Sequence, residues 1–235
     1  MARTKRWVSE FAVVVVGVLV ALAVDSAYQQ QVDARIGREY QTRISAELRS
    51  ADELLDEFDR AFSRNLTAAA AARPFFYEGA SSVDPDQLVA DLYNLGRDLP
   101  RRFDTSTYDD LISTGRLELI PADEVRERIL SAYKSLAELE QWLSPQRDEY
   151  LNGVRGWIPV QMIDRIREEC PDIAAPEWVC AGVDLDDRSL ATVLQHLRTD
   201  EALLSFQLRE QGVAYTITLV STSRGAVEAA LEALN

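Results

Sequence analysis

The sequence predicts an all-α protein: an N-terminal transmembrane helix that continues into a long-helix bundle with short helical inserts. Three observations carry this expectation. Phe11–Val24 is a run of 14 residues without a polar side chain. From Ser26 to Arg73 there is no proline and a single glycine, Gly37. Along that stretch apolar side chains recur at Val32, Ile36, Tyr40, Ile44, Leu48, Ala51, Leu55, Phe58, Phe62, Leu66 and Ala69. Steps of three and four are the spacing of one buried stripe on a helix.

The apolar run is shorter than the roughly 20 residues that span a bilayer core. Its length suits a signal-peptide h-region, and Ala21-Leu22-Ala23 resembles a small-residue cleavage site. The wider frame favours a retained anchor. Trp7 and Tyr28 lie 21 residues apart, about 31 Å of helix, which sets an aromatic at each face of a hydrocarbon core about 30 Å thick. Glu10 can pair with Arg6 one turn earlier and reach the near surface, and the short Asp25 belongs at the far headgroups. Gly17 and Ala21 form a small-xxx-small pair that would let two such helices approach closely. The run does not alternate, which disfavours a half-buried strand.

Arg3, Lys5 and Arg6 precede the run, so the positive-inside rule directs the rest of the chain outward. The expected organisation is a cytoplasmic tail over 1–6, a transmembrane helix over 7–28 and an extracytoplasmic helical-bundle domain over 29–235. A cleaved export signal is the alternative. With 235 residues, 47% of them apolar and 27% charged, the chain has material for a packed core. From residue 29 onward it carries 22 basic against 37 acidic side chains, which argues against a nucleic-acid partner.

The long helix is expected to end at Arg73-Pro74, because the residue before a proline is pushed out of the helical region. Asp84-Pro85-Asp86-Gln87 then reads as a helix start, with Asp84 at the N-cap, Pro85 at N1 and Gln87 at the capping-box position. The stripe Leu88, Leu92, Leu95 and Leu99 ends at Pro100. Ser106 or Thr107, followed by Asp109 or Asp110, reads as the next start, and Gly115 as its stop. Pro121, with Asp123 and Glu124 in the first turn, opens a helix striped by Val125, Ile129, Tyr133, Leu136, Leu139 and Leu143. Pro145 kinks or restarts it, and the pattern resumes through Tyr150, Val154, Trp157 and Ile158 to about Glu169. After a loop over 170–185, helix resumes near Asp186 or Asp187 up to Leu197. Thr199 caps a last long helix to Leu234, and the β-prone "YTITLVSTS" inside it is read as helical from its flanks.

Little in the sequence points to catalysis. Cys170 and Cys180 are the two cysteines; in an extracytoplasmic body they read as one local disulfide. Closing an 11-residue loop would stabilise by about 2.5–3 kcal/mol on the chain-entropy model. Two cysteines and one histidine cannot assemble a four-ligand zinc site of the usual kind. The sole histidine, His196, excludes a two-histidine zinc motif and weakens any Ser–His pairing. No phosphate-cradling or nucleophile-elbow motif is present, so no catalytic, cofactor-binding or metal-ligating residues and no cofactor are assigned. The carboxylate pairs Asp109-Asp110, Glu168-Glu169 and Asp186-Asp187 cannot face one another across a cleft, because neighbours in sequence point apart on a helix. Arg101, Arg102 and Arg116, with Arg97 near them, form a candidate anion pocket.

Two stretches together resemble a bacterial family of single-pass membrane proteins of unknown function. "SEFAVVVVGVLVALAVDSAYQ" resembles that family's anchor, in which a glutamate precedes a GILIAL-like run; here these are Glu10 and Gly17-Val18-Leu19-Val20-Ala21-Leu22. "FDTSTYDDLISTGRLELIPADEVRERILSAYKSL" resembles its central segment, through Tyr108, Leu111, Ser113, Gly115, Leu119, Ile120 and Arg126. At the end of the anchor Asp25 and Tyr28 stand where the family often has a tryptophan or asparagines. The resemblance implies a topology and no reaction. The expected role is a non-enzymatic interaction or scaffold protein of the bacterial envelope, in the inner membrane with its N-terminus cytoplasmic and its body periplasmic. Its partners would be the lipid bilayer and a second copy or another membrane protein. A small-ligand sensing bundle coupled to a membrane partner and a carboxylate-based enzyme are the alternatives.

Overall fold

The computed structural model describes residues 2–79, 83–97, 102–170, 180 and 183–234, with side chains outside 2–15, 144–149, 151–152 and 187. Every regular element among them is helical. The chain runs α1 (Ala2–Glu78), α2 (Pro85–Leu95), α3 (Ser106–Ser113), a 3-10 turn (Arg116–Leu119) and α4 (Asp123–Asn152). A second 3-10 turn (Val154–Trp157) then leads to α5 (Val160–Glu169), α6 (Asp187–Leu197) and α7 (Asp200–Leu234).

Three long helices build the core, because each carries an apolar stripe too long for a short neighbour to cover. α7 packs against both α1 and α4. It runs antiparallel to α1, since Arg73 meets Glu210 while Arg224 reaches back to Asp56 and Asp59. It is also antiparallel to α4: Trp142 Nε1 donates to Thr216, and Ser135 bonds Ser223. The expected α1 stripe is the buried one, with Tyr40, Ile44, Leu48, Ala51, Leu55, Phe58, Phe62 and Ala69 all in the core.

Ahead of that stripe α1 is bare. Residues 16–31 are exposed on every side, and cover begins at Val32 and Asp33. Among the described residues no helix is long and apolar enough to cross a membrane; of the run Phe11–Val24, the described side chains begin at Val16. The side chains of Trp7 and Glu10 lie outside the described residues. Gly17, Ala21 and Tyr28 are exposed, and a Cβ at Gly17 would meet nothing within 4 Å.

Several element ends differ from expectation. α1 does not stop at Arg73: it runs through Pro74 to Glu78 and ends at Gly79, whose φ of 62° is the left-handed C-terminal conformation that glycine takes without strain. A proline inside a helix costs about 3 kcal/mol. Aromatic packing beyond it opposes that cost: Phe76 stacks on Phe206 with centroids 4.4 Å apart, and Tyr77 meets the same ring edge-on. α4 starts at Asp123, two residues after Pro121, and passes unbroken through position 145. The expected continuation to Glu169 is divided by Gly153 and Pro159 into a 3-10 turn and α5.

α2 ends at Leu95, short of Leu99, which with Pro100 lies outside the described residues. Its last carbonyls are taken by side chains: Leu92 O by Tyr150, Leu95 O by Arg209, Gly96 O by Arg155 and Arg97 O by Asn65. Two of the four donors are cationic, as the negative end of a helix dipole favours. Asp84 caps α2 through Asp86 N, Asp186 caps α6 through Ser189 N, and Thr199 caps α7 through Ala202 N. Gln87 does not close a capping box; it donates to Asp91 and to Cys180 O. "YTITLVSTS" is helical within α7.

Candidate functional site

The expected disulfide between Cys170 and Cys180 is present. It ties the end of α5 to the segment before α6, and both cysteines are held on α2. Arg97 donates to Cys170 O, and Asn94 Nδ2 lies 3.1 Å from Cys180 Sγ.

The candidate anion pocket divides. Arg101 lies outside the described residues, and Arg102 is exposed. Arg97 is engaged beside Asn65, whereas Arg116 donates to Tyr40 Oη at 3.4 Å. Those two α1 contact points are 25 residues apart, about 37 Å along the helix. Arg97 and Arg116 therefore do not share a site. His196 is exposed, its ring stacked on Trp157.

The described members of the carboxylate pairs have structural roles; the Asp187 side chain lies outside the described residues. Asp109 accepts from Thr105 and Asp110 from Tyr40. Glu168 and Glu169 pair with Arg165, and Asp186 caps α6. Among the described residues no group of three metal-ligating side chains comes together.

The most developed polar constellation sits where α1 enters the bundle. α1 presents Gly37, Tyr40 and Glu47 to the segment 103–133. At Gly37 the backbone of the 3-10 turn comes so close that a Cβ would lie 2.2 Å from Leu119 O. Tyr40 Oη donates to Asp110 Oδ2 at 2.6 Å. Glu47, only 9% exposed, accepts from Thr107 N at 2.5 Å, Ser106 Oγ at 3.2 Å and Tyr133 Oη at 2.7 Å. Its carboxylate thus caps α3 from another helix, where the orphan N–H groups and the positive dipole end stabilise an anion. Exposed Asp104 adds a second cap through Ser106 N, which holds its carboxyl below the usual range. Tyr133 stacks on Tyr108 with centroids 4.1 Å apart. Burial first, and Glu47 second, push the Tyr133 phenol far up, so it stays a donor.

Around Tyr40 lies a cleft of about 290 Å³, lined by Ile36, Glu39, Tyr40, Arg43, Asp110 and Arg116. Arg43 stands over the Tyr40 ring. The cleft offers the guanidiniums of Arg43 and Arg116 and the carboxylates of Glu39 and Asp110.

Most of the residues that carry the family resemblance belong to this joint. Leu111 and Ile120 are fully buried, Tyr108 stacks, and Leu119 supplies the carbonyl against Gly37. Gly115 takes φ 68° between α3 and the 3-10 turn, and Arg126 donates to Ile120 O and Asp123. Ser113 donates to Asp110 O. From the sequence, Tyr133 is expected only as a member of the α4 stripe, and Glu47 is not singled out. The available signals were a lone glycine in a long helix and a carboxylate seven residues after Tyr40 on the apolar face. Comparison of the chain with protein-family models, curated proteins and solved structures yields no match.

Proposed function

We propose that this chain is a single-pass protein of the bacterial inner membrane, with residues 1–6 cytoplasmic, 7–28 spanning and 29–235 forming a periplasmic body. The body serves as a non-enzymatic interaction or scaffold platform for a second copy or another membrane protein. One observation carries the reading. Val16, Val18, Leu19, Val20, Leu22 and Val24 are 53–64% exposed on one continuous helix that elsewhere buries its apolar stripe. At about 100° per residue these side chains point all round, so no single partner helix covers them, whereas lipid does. Each such side chain left in water forgoes about 1.5–3 kcal/mol, and six together rival the stability of a whole domain. The basic residues ahead of the run and the resemblance support the same topology.

The interaction role rests on the body: among the described residues its paired acids are occupied in caps, hydrogen bonds and ion pairs. Crosslinking in native membranes, followed by mass spectrometry, tests it. A reproducible partner or a self-crosslink is the expected result; a strict monomer with no crosslinked membrane protein rules the role out.

The cleft around Tyr40 favours one second reading, a sensing bundle that binds a small charged ligand there. A thermal-shift screen of the full chain in detergent would then find a ligand whose shift disappears in Arg116→Gln. A screen without a hit sets this reading aside.

A further inference from the structure

The bundle begins close above the end of the apolar run. On the single-pass reading, on which this inference rests, Tyr28 marks the outer hydrocarbon boundary. Gly37, the first fully buried position of α1, is nine residues further on, about 13 Å. Arg35 and Arg38 stand at this gap, seven and ten residues beyond Tyr28, about 10 and 15 Å. Both are exposed, and neither has an acidic partner among the described residues.

Tyr28, Val32, Arg35 and Arg38 follow one another at helical spacing on a single stripe. With Gln31 and Ala34 they line a groove of about 410 Å³. Long side chains on a helix lean toward its N-terminus. In this topology that lean carries both guanidiniums down toward the bilayer surface, while the tyrosine ring sits at headgroup level.

We propose that Arg35 and Arg38, with Tyr28 below them, bind the phosphate of anionic lipid headgroups in the outward leaflet. Guanidinium matches phosphate geometry with paired donors. The rest of the body makes the site consequential: with 37 acids against 22 bases beyond residue 28 it is repelled by an anionic surface. Asp33 and Glu39, beside the two arginines on α1, and Glu118, next to the Leu119 that packs on Gly37, add to that repulsion. Two arginines on the stalk, without an acidic partner among the described residues, supply the attractive contact that fixes the height and tilt of the rod.

The test uses the full chain in vesicles of equal phosphatidylglycerol and phosphatidylethanolamine, extracted in mild detergent for native mass spectrometry. Retained lipid should be enriched in phosphatidylglycerol by about threefold or more, within the reach of one or two arginines at a membrane surface. Arg35→Gln/Arg38→Gln should return the ratio to that of the vesicle. Arg49→Gln/Arg128→Gln, which removes the same charge elsewhere, should leave the enrichment in place. Equal enrichment in Arg35→Gln/Arg38→Gln and the wild type overturns the site, as does loss in both double variants. Release of the lipid by inorganic phosphate would mark a free-anion site and overturn the lipid assignment. Flotation separates the two claims: the double variants should still rise with the vesicles, and a wild-type chain that fails to float refutes the anchor itself.

Discussion

Gly37 has room for a hydrogen and nothing larger, because Leu119 O would lie 2.2 Å from any Cβ there and backbone cannot swing aside as a side chain can. Gly37→Ala should therefore cost about 1–3 kcal/mol through overpacking. Gly225, in the middle of α7, has nothing within 4 Å of its Cβ position. Gly225→Ala should stabilise by up to about 1 kcal/mol from helix propensity. Urea midpoints of the two variants in detergent check the opposite signs. Glu47 is the second test at this scale. Glu47→Ala would leave Thr107 N and the Tyr133 hydroxyl buried without a partner, at a cost of about 2–4 kcal/mol. Tyr133→Phe removes one donor and should cost about 1 kcal/mol. Equal losses for the two would mean that the cap on α3 contributes nothing.

Asp91 supplies a pH signature. Burial outweighs the hydrogen bond from Gln87 and pushes its carboxyl up to about 6, from 3.8. Between these values the folded chain holds the proton more tightly than the unfolded one, so this residue's contribution to stability falls as pH rises. Above pH about 6 the desolvated carboxylate opposes the fold. Asp91→Asn should add about 1–2 kcal/mol at pH 7.5, part of what a shift of this size would give if fully buried, and little at pH near 4. Urea midpoints measured at both pH values read this difference; an identical gain at the two pH values would contradict it.

At the scale of elements, what the sequence disclosed followed from periodicity. The stripe from Ile36 to Ala69 could be read because each step of three or four returns to one face, and the same logic kept "YTITLVSTS" helical against its β propensity. Ends were harder, since they depend on partners distant in sequence. Pro74 reads as a stop until Phe206 is known to lie beside Phe76, and the carbonyls that end α2 are taken by residues from α1, α4, α7 and the turn after α4. Glu47 was invisible for the same reason: its three donors come from positions 106, 107 and 133. The disulfide was legible from spacing together with the expected extracytoplasmic placement, but its docking on Asn94 and Arg97 at the α2 end was not. Cys170→Ser/Cys180→Ser should lower stability by about 2–3 kcal/mol in the chain-entropy model. A calorimetric scan should show the loss as a lower Tm; an unchanged Tm would mean that α2 contacts alone hold the segment.

At the scale of the molecule, one helix joins a bare apolar rod to a three-helix core without a break. A hinge at that junction would let the body tumble, whereas a continuous helix passes any tilt or rotation of the rod to the Tyr40–Glu47 joint. On the proposed topology, the joint and the arginine stalk both lie at the membrane-facing end, while α2, α5, α6 and the disulfide crown the opposite end. A partner in the membrane would meet the first group, and a soluble periplasmic partner the second. All of this depends on the rod being held in lipid with the body outside. The most direct test is protease added to intact spheroplasts, with the body followed by immunoblot through a C-terminal tag. The account predicts that the body is digested before lysis and that intact chain sediments with membranes. A body that survives until the spheroplasts are broken, or that is released free of membranes, would contradict it.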